Sequence, residues 1–142
     1  MVLLTARSAR LLVFAVFGLT GCNGHSAFAP SPQPANLRGI EVLYKSVTPI
    51  AGFQFGVTGV SVIAARDGSA EAAAFTVSTG NNIVIGFSLT GTTILAGEDV
   101  LVVLDVAGTG HACLTDLIVS DSAGNALEAS VEDCLTISQT TR

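Results

Sequence analysis

From Leu37 to Ile137 the apolar residues fall at every second position in short runs, and no run holds a helical period long enough to form a helix of ordinary length. Ile40, Val42 and Tyr44 alternate with Glu41 and Lys45; Phe53, Phe55 and Val57 alternate with Gln54, Gly56 and Thr58. Period two with β-branched and aromatic residues is the pattern of half-buried strands. Further strands are predicted at 60–64, 75–78, 83–89, 100–106, 114–120 and 126–131, the last leading into 135–137. Turn chemistry separates them at Thr48-Pro49, Arg66-Asp67-Gly68, Ser78 to Asn82, Ala96-Gly97-Glu98, Gly108-Thr109-Gly110 and Asp121 to Asn125. Only Ser69 to Ala74 could make a helical turn. Eight or nine short strands without alternating helices predict an all-β fold, an antiparallel β-sandwich, with jelly-roll and immunoglobulin-like topologies both open. The run Val100 to Val106 is apolar on both sides except at Asp105, which places it inside a sheet.

Charge narrows the partners. All eleven acids lie beyond residue 40, and past residue 22 only Arg38, Lys45, Arg66 and Arg142 oppose them. No Lys/Arg cluster is present to neutralise phosphates, so nucleic acid is not expected as a partner. The chain of 142 residues has room for one core of ordinary size.

The first residues obey a different grammar. Met1 to Arg10 is basic and free of acids, Leu11 to Leu19 is an unbroken apolar run, and small residues follow at Thr20 and Gly21. This is the three-part pattern of an export signal. Nine residues rise only about 14 Å as a helix, too short for a hydrocarbon core of about 30 Å. Leu19-Thr20-Gly21-Cys22 resembles a bacterial lipobox, which implies a signal over 1–21 and acylation of Cys22 as the first mature residue. The acyl chains would tie the protein to membrane lipid. Ordinary secretion with cleavage after Ala29 is the alternative, since Ala27-Phe28-Ala29 supplies an A-x-A pattern. Asn23 after the cysteine, by resemblance to bacterial lipoprotein sorting, implies the outer membrane and a place in the cell envelope. Residues 22–36, with prolines at 30, 32 and 34, read as an extended tether that contains His25. The folded domain is expected over 37–138, with a tail over 139–142.

Three stretches carry a family resemblance. Ile50 to Phe55, then Thr90 to Gly97 before Val100 to Leu104, then Leu117 to Asn125, are similar to a cohesin domain, a family that itself resembles carbohydrate-binding modules of the jelly-roll group. The resemblance implies a jelly-roll sandwich that docks a protein partner, dockerin-like or another envelope component, through one sheet face. No contact residue is carried over. Such motifs describe strands rather than chemistry.

With Cys22 acylated, Cys113 and Cys134 remain as an even pair in an oxidising compartment, so a disulfide is expected, two buried free thiols being the alternative. A hairpin about Ala123-Gly124 would set them opposite one another. Catalysis finds little to work with. His111 is the one histidine beyond the tether, and no G-x-S-x-G or S-x-x-K places a nucleophile. Metal-ligand spacing is likewise missing; Asp121, Asn125 and Glu128 have oxygen atoms that could hold calcium, but turn chemistry explains them as well. Glu98-Asp99 and Glu132-Asp133 read as solvated edges beside turns. There is no tryptophan, and the phenylalanines of the domain are expected to face inward, which leaves Tyr44 as the ring a sugar could stack on.

These readings combine into a non-catalytic, lipid-anchored binding module without cofactor, which recognises a protein through a sheet face or through the loops at Thr90 to Thr93 and Asp121 to Asn125. A glycan-binding module of the envelope or of a polysaccharide-degrading system is the alternative. Cys22→Ser should abolish incorporation of a labelled fatty acid and either release the protein from membranes or block its processing; undiminished label would refute the lipobox reading.

Overall fold

A computed structural model describes residues 37–139. The export signal, Cys22, His25 and the tether lie outside the described residues. The domain is a β-sandwich of two five-stranded sheets. In chain order its elements are β1 (Leu37–Ser46), β2 (Gly52–Thr58), β3 (Ser61–Arg66), α1 (Gly68–Ala72), β4 (Thr76–Gly80), β5 (Ile83–Phe87), β6 (Gly97–Ala107), β7 (Cys113–Ser120), β8 (Ala126–Leu127), β9 (Ala129–Glu132) and β10 (Thr136–Gln139). The first sheet runs β3-β6-β1-β10-β9 and the second β4-β5-β2-β7-β8. Ten strands form where eight or nine were expected, because the run 126–131 divides at Glu128 and sends β8 and β9 to different sheets. The single helix among the described residues, five residues long, falls within the expected Ser69 to Ala74 stretch apart from Gly68.

Alternation decides which side of each strand is buried, and the exceptions are bulges. In β6 the pairing with β1 slips between Val42 and Leu43, where Val42 faces Val102 and Leu43 faces Val100. Leu101 is the extra residue, so Leu101 and Val102 both enter the core, fully buried. That is why β6 reads as apolar on both sides, and it does run inside its sheet, between β3 and β1. A second slip, in the pairing of β2 with β7, leaves Asp116 at a bulge with φ of 50°. The β4–β5 hairpin turns on Asn81-Asn82, both at positive φ as a type I′ turn requires.

The core lies between Phe53, Phe55, Val57 and Val84 of the second sheet and Val42, Tyr44, Leu104, Val106 and Ile137 of the first. The rings of Phe55 and Phe53 stack at 5.9 Å, and those of Phe53 and Phe75 at 6.2 Å. Phe53 covers Gly86 so closely that a Cβ there would lie 2.2 Å from the ring. At the end of the sandwich the β2–β3 connection crosses the β6–β7 connection. A Cβ on Gly59 would stand 1.9 Å from the His111 carbonyl oxygen, and one on Gly110 would stand 2.0 Å from that of Gly59. The Gly108-Thr109-Gly110 run therefore serves close backbone approach.

Two features were not expected. The pair β1–β10 is parallel, with Leu43 beside Thr136 and Lys45 beside Ser138, so the sandwich is not wholly antiparallel. Gln139, assigned above to the tail, completes β10, and its Oε1 accepts hydrogen bonds from Val47 N at 2.9 Å, Thr48 N at 3.0 Å and Ser46 Oγ at 2.8 Å.

Cys113 and Cys134 are bridged, with Cα atoms 4.2 Å apart. The pairing agrees with expectation and the route to it does not. β7 pairs β8 only at Val119 with Leu127 and Ser120 with Ala126, one residue out of the register that would oppose the cysteines, and the chain then leaves for the other sheet. The bridge thus ties the first residue of β7 to the β9–β10 connection and joins the two sheets, beside a hydrogen bond from Leu114 N to Cys134 O. Replacing both cysteines by alanine should lower the free energy of unfolding by about 3 kcal/mol, the entropy of closing such a loop, read from urea melts. Thiol alkylation of the exported protein without reductant should leave both unmodified by mass.

Candidate functional site

The outer faces of the two sheets differ in kind. On the first, Glu41 and Lys45 of β1, Asp105 of β6 and Glu132 of β9 stand among Leu43 and Val103. Arg66 of β3 donates from Nε and Nη2 to the two carboxylate oxygens of Asp105, each at 2.9 Å, and it also pairs with Asp67. Those hydrogen bonds hold the Asp105 carboxyl below the usual carboxylate range and raise the Arg66 guanidinium. Glu98-Asp99 and Glu132-Asp133 border one hollow of about 400 Å³ around Lys45 and Thr136. The sequence placed each pair at a solvated turn; folding brings the two pairs to one place. Among the described residues no group of three or more His, Cys, Asp and Glu side chains is placed to hold a metal ion.

The second sheet presents an outer face whose three central rows hold no charged residue. Registers across β4, β5, β2 and β7 align Ser78, Ile85, Gln54 and Ile118 in one row, and Thr76, Phe87, Gly52 and Ser120 in the next. A third row holds Gly80, Ile83, Gly56 and Thr115. Four large apolar side chains are exposed there: Ile83 at 43%, Ile85 at 39%, Phe87 at 40% and Ile118 at 53%. Asp116, lifted at its bulge, brings a carboxylate oxygen onto this face beside Gly56, 3.6 Å from where a Cβ on that glycine would stand. Between the β5 ridge and the β7 ridge, β2 contributes Gly52 and Gly56, and a hollow of about 200 Å³ opens over Gly52 and Gln54. Beyond β5 the connection 88–93 is held by its own hydroxyls. Ser88 Oγ accepts from Thr92 N at 2.8 Å, and Thr92 Oγ1 donates to Ala73 O at 2.6 Å, while Leu89 stands exposed.

Residues singled out from sequence take other places. Tyr44 is buried and its hydroxyl donates to Leu95 O at 3.1 Å, so it offers no ring to a sugar. Among the described aromatic residues Phe87 alone is exposed, contrary to the expectation that the phenylalanines face inward. His111 is exposed, with its carbonyl against Gly59, and no hydroxyl or carboxylate among the described residues hydrogen-bonds its ring. Asp121 and Asn125 do come together, but within their own turn. Asp121 Oδ1 accepts from Ala123 N at 2.8 Å and Asn125 N at 2.9 Å, and Oδ2 accepts from Asn125 Nδ2 at 3.0 Å. This Asx arrangement spends on the chain itself the oxygens a cation would need. Ile83, Ile85, Phe87 and Ile118 were missed as a group. Their signal was the alternation of 83, 85 and 87, read only as a strand.

Comparison with protein-family models, with curated proteins and with solved structures returns no match.

The Asn125 side chain, and then the backbone N–H groups of the turn, hold the Asp121 carboxyl below its ordinary value. A carboxyl depressed in the folded state stabilises above its unfolded pKa, near 3.9, and that contribution is lost as pH falls through the lower folded value. Asp121→Ala should therefore lower the urea midpoint near neutral pH. The gap from the parent protein should narrow as pH is taken below about 4, and a constant gap would refute the assignment.

Proposed function

We propose that this chain is a non-catalytic docking module of cohesin-like, jelly-roll type, held at the cell envelope by lipid on Cys22, and that it recognises a protein partner with the outer face of the second sheet. The observation that carries the reading is Ile83, Ile85, Phe87 and Ile118 standing exposed on a face where the one carboxylate beside the rows described is that of Asp116, next to Gly56. Eleven acids lie in the same domain, and none sits in the three central rows of that face. Contiguous exposed apolar surface is costly in water and gains free energy when covered. The strands beneath are fixed by the sandwich core, so little ordering entropy is spent on contact. The Cys113–Cys134 bridge suits an oxidising compartment, in keeping with export.

A second reading, glycan binding, has one specific observation in its favour. Phe87 presents a ring beside Gln54 and Ser120, a stacking surface with hydrogen-bonding groups at its edge.

The test compares capture from envelope extracts by the full chain and by Ile85→Glu with Ile118→Glu. Capture of the partner should fall at least tenfold, whereas Lys45→Glu, on the other sheet, should retain it with the same circular dichroism. Equal capture by the double variant would refute the docking face. A glycan-array signal lost in Phe87→Ala, with no protein captured, would replace the protein reading by the glycan one.

A further inference from the structure

The apolar face is built as a knob beside a hole. Phe87 rises from β5, and the hollow of about 200 Å³ lies one strand away, over Gly52 and Gln54 of β2. Gly52 pairs directly with Phe87, so the two are separated by about 4.8 Å, the spacing of neighbouring strands. A two-fold axis lying in the plane of contact, parallel to the strands and midway between β5 and β2, carries each Phe87 over the hollow of the other copy. The hollow's volume is that of a single large side chain, and its walls include Ile85 and Ile118. We propose that the occupant of this face is a second copy of this chain, packed face to face with the two Phe87 rings exchanged. This inference rests on the docking reading above and names the partner.

Charge points the same way. The described residues hold eleven acids against Arg38, Lys45 and Arg66, so two copies repel over most of their surfaces. The three central rows of this face hold no charged residue, and the Asp116 carboxylate beside Gly56 is set by the two-fold opposite β4 of the other copy, not against a like charge. An isologous contact needs a self-complementary patch, and a knob one strand from its own hole supplies it. The four strands that the two-fold superposes, β4, β5, β2 and β7, at about 4.8 Å, and five residues at about 3.3 Å give a face of roughly 19 by 17 Å, or about 320 Å² in projection. That is below the roughly 800 Å² per partner of a standard interface, so the contact is weak and reversible and depends on high local concentration. Aromatic anchors seated in pockets dominate such contacts, and here the anchor is Phe87.

The test uses the full chain in membranes, with a photoreactive benzophenone amino acid in place of Ser78, exposed on the edge strand in the Ile85 row, or in place of Glu41 on the opposite sheet as control. Illumination should yield a covalent dimer from position 78, with the probe joined by mass to a β7 or β2 peptide of the second copy, since the two-fold sets β4 over β7. Position 41 should give at least tenfold less. Phe87→Asp should reduce the position-78 dimer at least tenfold and Phe87→Leu, which still fills the hollow, by less than threefold. Circular dichroism matching the parent protein verifies the fold of each variant. Products that join position 78 only to other proteins would overturn self-docking and leave the docking reading standing. No protein adduct at all would overturn both. Equal dimer from positions 78 and 41, or no loss in Phe87→Asp, would overturn the exchange of Phe87.

Discussion

The ring of Phe53 occupies the place where a side chain at Gly86 would be, and the character of the second sheet depends on that contact. A strand has two sides and a fixed alternation, so the residue that faces inward sets the direction of all the others. With Gly86 turned in beneath Phe53 and Val84 buried beside it, Ile83, Ile85 and Phe87 have no option but to face out. Any larger residue at 86 would have to displace a ring stacked on both Phe55 and Phe75. The core and the exposed face are two results of one packing choice.

The first sheet shows the opposite arrangement. Its outer side carries Arg66 clamped on Asp105 and Lys45 among carboxylates, groups that stay hydrated and keep neighbouring molecules apart. The two outer faces thus differ, one rich in ion pairs and carboxylates and the other mostly apolar with Asp116 beside Gly56. The 121–125 turn and the 88–93 connection hydrogen-bond their own polar groups at the borders of the second sheet.

Strand positions were legible because alternation is local, and so was the disulfide, because cysteine parity is arithmetic. What depends on neighbours was not. Ile83 to Phe87 reads Ile-Val-Ile-Gly-Phe, apolar on either side, and a glycine gives no sign of whether it is turned in; the exposed side became known only through Phe53. The bulges at Leu101 and Asp116 break alternation without a residue type that announces it. The change of sheet at Glu128 was hidden for a similar reason, since two strands separated by one residue look like one strand. Direction of pairing is absent from hydrophobic pattern altogether, so the parallel β1–β10 pair and the anchoring of Gln139 could come only from the fold. Tyr44 was misplaced by its rarity: a lone tyrosine invites a functional role, yet its hydroxyl reaches the Leu95 carbonyl and its ring belongs to the core.

Because β1 and β10 run side by side in the same direction, residue 37 enters the domain at one end of the sheet and residue 139 leaves at the other. A pull between those two points slides the strands along one another and loads their hydrogen bonds, with the three from the 46–48 backbone and Ser46 hydroxyl to Gln139, all at once rather than one after another. Forced unfolding is governed by the rate at which such a clamp yields, not by the equilibrium stability of the whole. Resistance to a pull along the domain and stability to heat or denaturant are therefore separate quantities in this geometry.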